Sequence, residues 1–198
     1  MKKYVGKHLK RDIPQLDALQ KELKRERYKR RFRKLLRSTV YVLIVVAAIA
    51  ALISTLILPV LQIAGTSMEP NLNDGDIVLL VKKHDLKSGD LCAFYYSNKI
   101  LIKRVIATPG DYIWIQQDGT VFLNGEPLDE PYIAQKALGE CDVEFPYQVP
   151  ENNYFVMGDQ RETSIDSRSS VIGCIAKDQI VGKIFCKFWP LSEFKFVG

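Results

Sequence analysis

The sequence predicts a mainly β domain carried on one N-terminal transmembrane helix, and three observations predict it. Residues 1–37 hold 15 Lys and Arg against 4 Asp and Glu, whereas residues 38–198 hold 13 against 19, so a basic arm precedes an acidic remainder. From Ser38 to Met68 no side chain is charged. Beyond Gly65 the chain becomes short β-type runs broken by Gly, Asp and Asn pairs. With 198 residues and 47% hydrophobic content, it is long enough for one core and far from a disordered composition.

The arm (1–37) is partly helical on its leucine spacing, Leu16, Leu19 and Leu23, and then becomes KRERYKRRFRK. Such a run either attracts anionic lipid head groups or is a solvated, topology-setting charge cluster. Nucleic-acid binding would have to rest on this arm alone, and no recognised DNA- or RNA-binding motif accompanies the charge.

The span is assigned to 38–60, and its apolar core, Thr39–Leu58, is 20 residues of almost unbroken hydrocarbon character. At about 1.5 Å per residue such a helix reaches roughly 30 Å, the thickness of a bilayer's hydrocarbon core. A soluble core helix would show a polar face, and a cleaved leader would have a shorter apolar region. The positive-inside rule then places the N-terminus in the cytoplasm and residues 61–198 outside it, a single-pass arrangement in the cell membrane.

In the remainder, strands are expected at 77–81, 91–96, 100–106, 112–116, 120–123, 154–157 and 180–189. Asp118-Gly119 makes 112–116 and 120–123 the best hairpin candidate. The stretch 127–150 lacks periodicity and reads as a long excursion from the sheet.

Metal chemistry has little to work with: there are two histidines, His8 and His84, and the former lies in the basic arm. Cys92, Cys141, Cys174 and Cys186 contain no C-x-x-C pair, so neither a zinc site nor any other cofactor is implied. Outside the cytoplasm they could pair as disulfides or remain buried thiols, and the sequence leaves both open. His84, beside Lys82, Lys83 and Asp85, reads as a solvated loop residue.

A different base is available. In Lys99–Ile106 a strand's period of two places Leu101, Lys103 and Val105 on one face, so Lys103 is flanked by apolar neighbours. Desolvation lowers a lysine's pKa, and only the neutral amine accepts a proton. On pattern alone the alternatives stay open: a snorkelling lysine, one paired with a carboxylate, or a base. Ser67, in Gly65-Thr66-Ser67-Met68-Glu69-Pro70, lies a few residues past the span in a turn that can expose a hydroxyl and free backbone N–H groups for an oxyanion. A third segment, Gly158 to Arg168, packs charge and hydroxyls into a loop.

These three segments, in this order behind an anchor, closely resemble the boxes of bacterial type I signal peptidases: S-M-x-P-T-L, K-R-V-x-x-x-P-G-D and G-D-N-x-x-x-S-x-D-S-R. The chain reads Ser67-Met68-Glu69-Pro70-Asn71-Leu72, then Lys103-Arg104-Val105-Ile106-Ala107-Thr108-Pro109-Gly110-Asp111, then Gly158-Asp159-Gln160-Arg161-Glu162-Thr163-Ser164-Ile165-Asp166-Ser167-Arg168. The resemblance covers about 61–183 and looks like the single-span, Gram-positive branch. It implies a signal-peptidase-like β catalytic core and a Ser–Lys dyad in which Ser67 is the nucleophile and Lys103 the general base, working through an acyl-enzyme. Ser164 falls on the serine that orients the lysine, and Arg104, Asp159, Asp166 and Arg168 on residues that hold the site together.

The expected substrates are signal peptides of translocated preproteins, cut after small, A-x-A-like residues. Leu61, Gln62 and Ile63 are expected to pair as an extended segment with the substrate, while Ile63, Met68 and Ile102 line shallow apolar pockets. Gln160, Asn71 and Gly65 depart from the family pattern, where Asn, Thr and in some members Ser stand. Two rival readings remain, a Ser–Lys self-cleaving regulator and an anchored β-module that only binds a partner.

Overall fold

The computed structural model describes residues 16–57 and 59–197. His8, with the rest of 1–15, and Leu58 at the end of the apolar run lie outside the described residues. The chain divides into two compact units, Met1–Leu52 and Ile53–Gly198.

The helix α1 (Leu16–Ile57), most of which forms the first unit, runs without a break from the basic arm into the apolar run. Its charged half carries i,i+3 pairs, Glu22 with Arg25 and Glu26 with Lys29. Its apolar half presents Val40 to Val46, Ile49 and Leu52 uncovered, and by length and composition Leu19–Leu52 can cross a bilayer. A helix apolar all round and uncovered by protein has lipid as its natural solvent.

The second unit is built of antiparallel strands: β1 (Val60–Gln62), β2 (Ile77–Val81), β3 (Leu91–Tyr96), β4 (Lys99–Ala107), β5 (Tyr112–Ile115), β6 (Val121–Leu123), β7 (Glu126–Pro127), β8 (Tyr147–Gln148), β9 (Asn153–Met157), β10 (Ile175–Ala176), β11 (Ile180–Trp189) and β12 (Lys195–Phe196). One sheet runs β1-β2-β11-β3-β4-β9-β10, with β12 added on β11; a second runs β7-β6-β5-β8. All seven expected runs are strands, within a residue at either end.

The expected hairpin forms, with Ile113 opposite Leu123 and Ile115 opposite Val121. Thr120 stays outside the strand because its N–H donates to the Asp118 carboxylate at 2.9 Å. At Gly119 a β-carbon would run into the Ala137 backbone, which passes across the turn. The excursion 127–150 contributes the last residue of β7 and the two-residue β8; elsewhere it is irregular chain.

The alternation of strand side chains divides the interior. Leu91 and Ala93 of β3 join Ile63, Met68, Leu72, Val78, Leu80 and Ile184 in one cluster, while Cys92 and Phe94, pointing the other way, join Val105, Tyr154, Val156 and Ile180 in a second. The two sheets enclose a third cluster around Ile106, Ile113, Phe155 and Met157. No disulfide forms: Cys92 and Cys186 are buried thiols, and Cys141 and Cys174 are half-buried.

Candidate active site

The loop carrying Ser67 follows edge strand β1 and is fixed at both ends. Gly65, at φ +96°, donates its N–H to the Asp74 carboxylate at 2.8 Å. Met68 and Leu72 are buried, and the Met68 carbonyl accepts from the N–H groups of Asn71 and Leu72. Ser67 is left half-buried at the top of this turn, with its carbonyl accepting from Gln160 N at 3.1 Å.

On β4 the register sets Lys103 opposite Cys92 and Leu101 opposite Phe94, so Lys103 shares the Leu101 and Val105 face. Two of the alternatives left open by pattern fall away, and the first goes on exposure: Lys103 is 4% exposed and therefore does not snorkel. Among the described residues no carboxylate lies within ion-pair distance of its amine; Nζ instead donates to Ser164 Oγ at 2.8 Å. Burial is the largest influence on its pKa and pulls it from 10.5 down to about 8, against Asp166, with Arg168 adding to the fall and Asp159 opposing it. At pKa 8 roughly 10% of such amines are neutral at pH 7, against roughly 0.04% at pKa 10.4.

Two ion pairs frame the amine. Arg104 donates through Nε and Nη2 to both oxygens of Asp159, at 2.8 and 2.7 Å. Arg168 donates through Nε and Nη2 to the two oxygens of Asp166, both at 2.8 Å, and through Nη2 to the Ser164 carbonyl at 3.2 Å. Asp166 also accepts from Gly158 N at 2.9 Å. Each carboxylate near Lys103 is thus already committed to an arginine. Gly158 has to be glycine: a β-carbon would run into Ser164 Oγ and the Ser67 carbonyl.

A cleft of about 100 Å³ is lined by Leu61, Gln62, Ile63, Ala64, Gly65, Ser67, Met68 and the Ile100–Lys103 segment. It therefore gathers Ser67, Lys103 and all five expected substrate-contacting residues. Leu61 and Gln62 belong to β1, one residue offset from the expected extended segment, and β1 pairs with β2 on one side only. His84 is exposed in a shallow cavity with Asn152, Asn153, Ala176, Lys177 and Asp178, apart from this cleft.

The pattern of the family "Signal peptidase, peptidase S26" matches residues 36–189. The chain belongs to the signal peptidase family. Among its relatives, signal peptidase IB of Staphylococcus aureus is 38% identical over 154 residues, 68% of this chain and 79% of that protein. Signal peptidase I of Bacillus licheniformis is 35% identical over 146 residues, 67% and 77%. The crystal structure of a signal peptidase I from Enterococcus faecalis aligns with a TM-score of 0.43 at 27% identity, over 50% of this chain and 96% of that one. The protein is a membrane-anchored serine peptidase.

Sequence reasoning passed over Glu130, Tyr132 and Arg161 of this signal peptidase. Arg161 is 1% exposed, donating to both oxygens of Glu130 and to the Gly158 carbonyl. The Arg104 guanidinium carbon sits 3.9 Å from the Tyr132 ring centre. Arg161 lies inside the third box and was within reach as a buried-pair candidate; Glu130 and Tyr132 carry no periodic signal. Asn71, one of the departures, donates from Nδ2 to the Tyr132 carbonyl at 2.6 Å and to Asp159 Oδ2 at 2.8 Å.

Proposed function

We propose that this signal peptidase cleaves with Ser67 as nucleophile and Lys103 as general base, releasing signal peptides from exported preproteins. The observation that carries the reading is the buried Lys103 amine, without a carboxylate partner, opening on the same cleft as Ser67. The neutral Nζ takes the Ser67 hydroxyl proton as Oγ attacks the scissile carbonyl. The resulting ammonium returns that proton to the departing amine, the new N-terminus of the mature protein, leaving an ester on Ser67. Water, deprotonated by the same amine, hydrolyses the ester and frees the signal peptide's carboxylate.

Ser164 orients the base: by accepting one N–H from Nζ it leaves the amine's lone pair to face elsewhere in the cleft. Arg104, Asp159, Asp166 and Arg168 hold the loops in place and keep the carboxylates occupied. The Ser67 N–H would stabilise the oxyanion, while the Gly65 N–H is already committed to Asp74. Leu61, Gln62 and Ile63 would align the substrate along the free edge of β1. A cleft of about 100 Å³ holds little more than three waters' volume, which favours small residues before the cut, as Ile63, Met68 and Ile102 leave no room for large ones.

The division into arm (1–37), span (38–60) and catalytic domain (61–198) sets this cleft a few residues from the helix end. The positive arm orients it outward, with the N-terminus in the cytoplasm. Protease added outside intact cells stripped of their wall should then digest the catalytic domain and spare the arm.

The decisive experiment incubates the purified full chain in detergent with a preprotein, wild type beside Ser67→Ala, Lys103→Ala and His84→Ala, with the products read by mass spectrometry. Wild type and His84→Ala cut at one site, and the other two do not. Cleavage by folded Lys103→Ala would end the dyad reading, and no cleavage by wild type would favour the binding module.

A further inference from the structure

The excursion 127–150 looks like spare chain, yet Tyr132 within it touches two of the three segments that carry the proposed chemistry and reaches the third through Glu130. Its backbone carbonyl accepts from Asn71 Nδ2 in the Ser67 loop. Its ring lies under the Arg104 guanidinium, one residue from Lys103 on β4. Its hydroxyl donates to Glu130 Oε1 at 3.0 Å, and Glu130 is the buried partner of Arg161, which in turn holds the Gly158 carbonyl beside Ser164. We propose that Tyr132 is a positioning residue for the Ser67–Lys103 pair, a keystone by which the excursion sets nucleophile, base and orienting serine relative to one another. The inference rests on the dyad reading above and deepens it.

The chemistry of Asn71 strengthens the case. One carboxamide nitrogen has two protons and uses them on two partners, the Tyr132 carbonyl and Asp159 Oδ2. The threonine of the family pattern has one hydroxyl proton and could donate to only one of them. Asp159 is thereby held from two sides, by Arg104 and by Asn71, and Tyr132 contacts both of those residues.

Removing the ring should reach Lys103 through charge. The charged groups acting on the amine are Asp159, Asp166 and Arg168 from the third loop, the Cys92 thiol lies opposite on β3, and Arg104, next along β4, acts through its bond to Asp159. If Arg104 drifts from Asp159, that carboxylate's charge is less neutralised and acts more strongly on the amine, and water gains entry; both changes favour the ammonium.

The test is the pH dependence of preprotein cleavage by the full chain in detergent, with Tyr132→Ala, Tyr132→Phe and Asn71→Ala beside wild type, Ser67→Ala and Lys103→Ala. Tyr132→Ala should lower kcat roughly 10- to 100-fold with KM within about twofold, since the loss is alignment of reacting groups rather than substrate contact. Its acid limb should move up by about half a unit or more, Asn71→Ala should move it the same way, and Tyr132→Phe, which keeps ring and carbonyl, should leave it in place. A merely structural tyrosine would lower Tm and the active fraction without moving the limb. An unmoved limb in Tyr132→Ala, or in Asn71→Ala should the former not fold, overturns the proposal. Cleavage by Ser67→Ala or Lys103→Ala would instead overturn the dyad reading on which it stands.

Discussion

Two lysines are buried in this domain, and they have opposite fates. Lys103 on β4 is 4% exposed and Lys187 on β11 is 3% exposed. Lys187 Nζ lies 2.7 Å from Asp76 and 2.6 Å from Glu193. Burial alone would pull its pKa down, but the bonds to Asp76 and Glu193 outweigh it and the pKa rises. Lys103 is as little exposed but its amine sits deeper in the protein, with a hydroxyl where Lys187 has carboxylates, and its pKa falls to about 8. Desolvation by itself therefore does not make a base. What distinguishes Lys103 is that both nearby carboxylates, Asp159 and Asp166, are already paired with arginines.

The sharpest way to break the contrast is to give Lys103 a carboxylate. Ser164→Asp sets an anion where the amine now donates, converting Lys103 into a second Lys187. Its pKa should return to about 10.4 or above, cutting the neutral fraction at pH 7 by about 200-fold and the cleavage rate with it. Rate measurements up to pH 10 should show activity recovering as pH rises. An unchanged acid limb would mean that the amine is not the group that sets the rate.

Removal of each side chain should separate function from stability. Lys187→Met strands the buried Asp76 carboxylate, which is 4% exposed, and should cost about 3–5 kcal/mol of stability by denaturant titration while the folded fraction keeps its acid limb. Lys103→Met should do the reverse, abolishing cleavage and stabilising the fold at pH 7. A lysine whose folded pKa is about 8, against about 10.4 unfolded, makes the folded state bind fewer protons between those values. Stability of the wild type therefore rises with pH across that window, and below it the charged, desolvated amine costs up to about 3 kcal/mol. The lost bond to Ser164 offsets part of the gain, so a net increase of about 1–2 kcal/mol at pH 7 is expected, shrinking toward pH 10. A Lys103→Met protein less stable at pH 7 than at pH 10, relative to wild type, would contradict the sign.

How legible each lysine was in the sequence follows from the range of its contacts. The face on which Lys103 sits came from two-residue periodicity, a local signal, and its role from three boxes whose residues stand in fixed order. The strands were legible for the same reason: Ile77–Val81 and Leu91–Tyr96 are apolar runs bounded by Asp-Gly and Gly-Asp turns, and both are strands at those bounds. Lys187 was read as one residue of a strand, because nothing near it in sequence shows that Asp76 is its partner. The Asn71 to Asp159 bond spans 88 positions, and the Glu130 to Arg161 pair joins a stretch without periodicity to the third box. The two-residue strands β7, β8, β10 and β12 escaped notice because a pair of residues has no period.

The smallest expected effect tests whether Lys187 needs both of its acids. Glu193 is more than half exposed, so its bond to Lys187 is made largely in water and screened by salt. Asp76 is buried, accepts a second bond from Asn73 N at 2.7 Å, and its own backbone carbonyl accepts from Ile63 N beside the cleft. Glu193→Gln should therefore cost no more than about 1 kcal/mol, measured by denaturant titration at low salt, and less at high salt. Cleavage of a preprotein should be unaffected, since Asp76 still holds both the ammonium and the segment leading to Ser67. A loss as large as that of Lys187→Met would shift the weight of the comparison, making the exposed glutamate rather than the buried aspartate the group that keeps this second lysine charged.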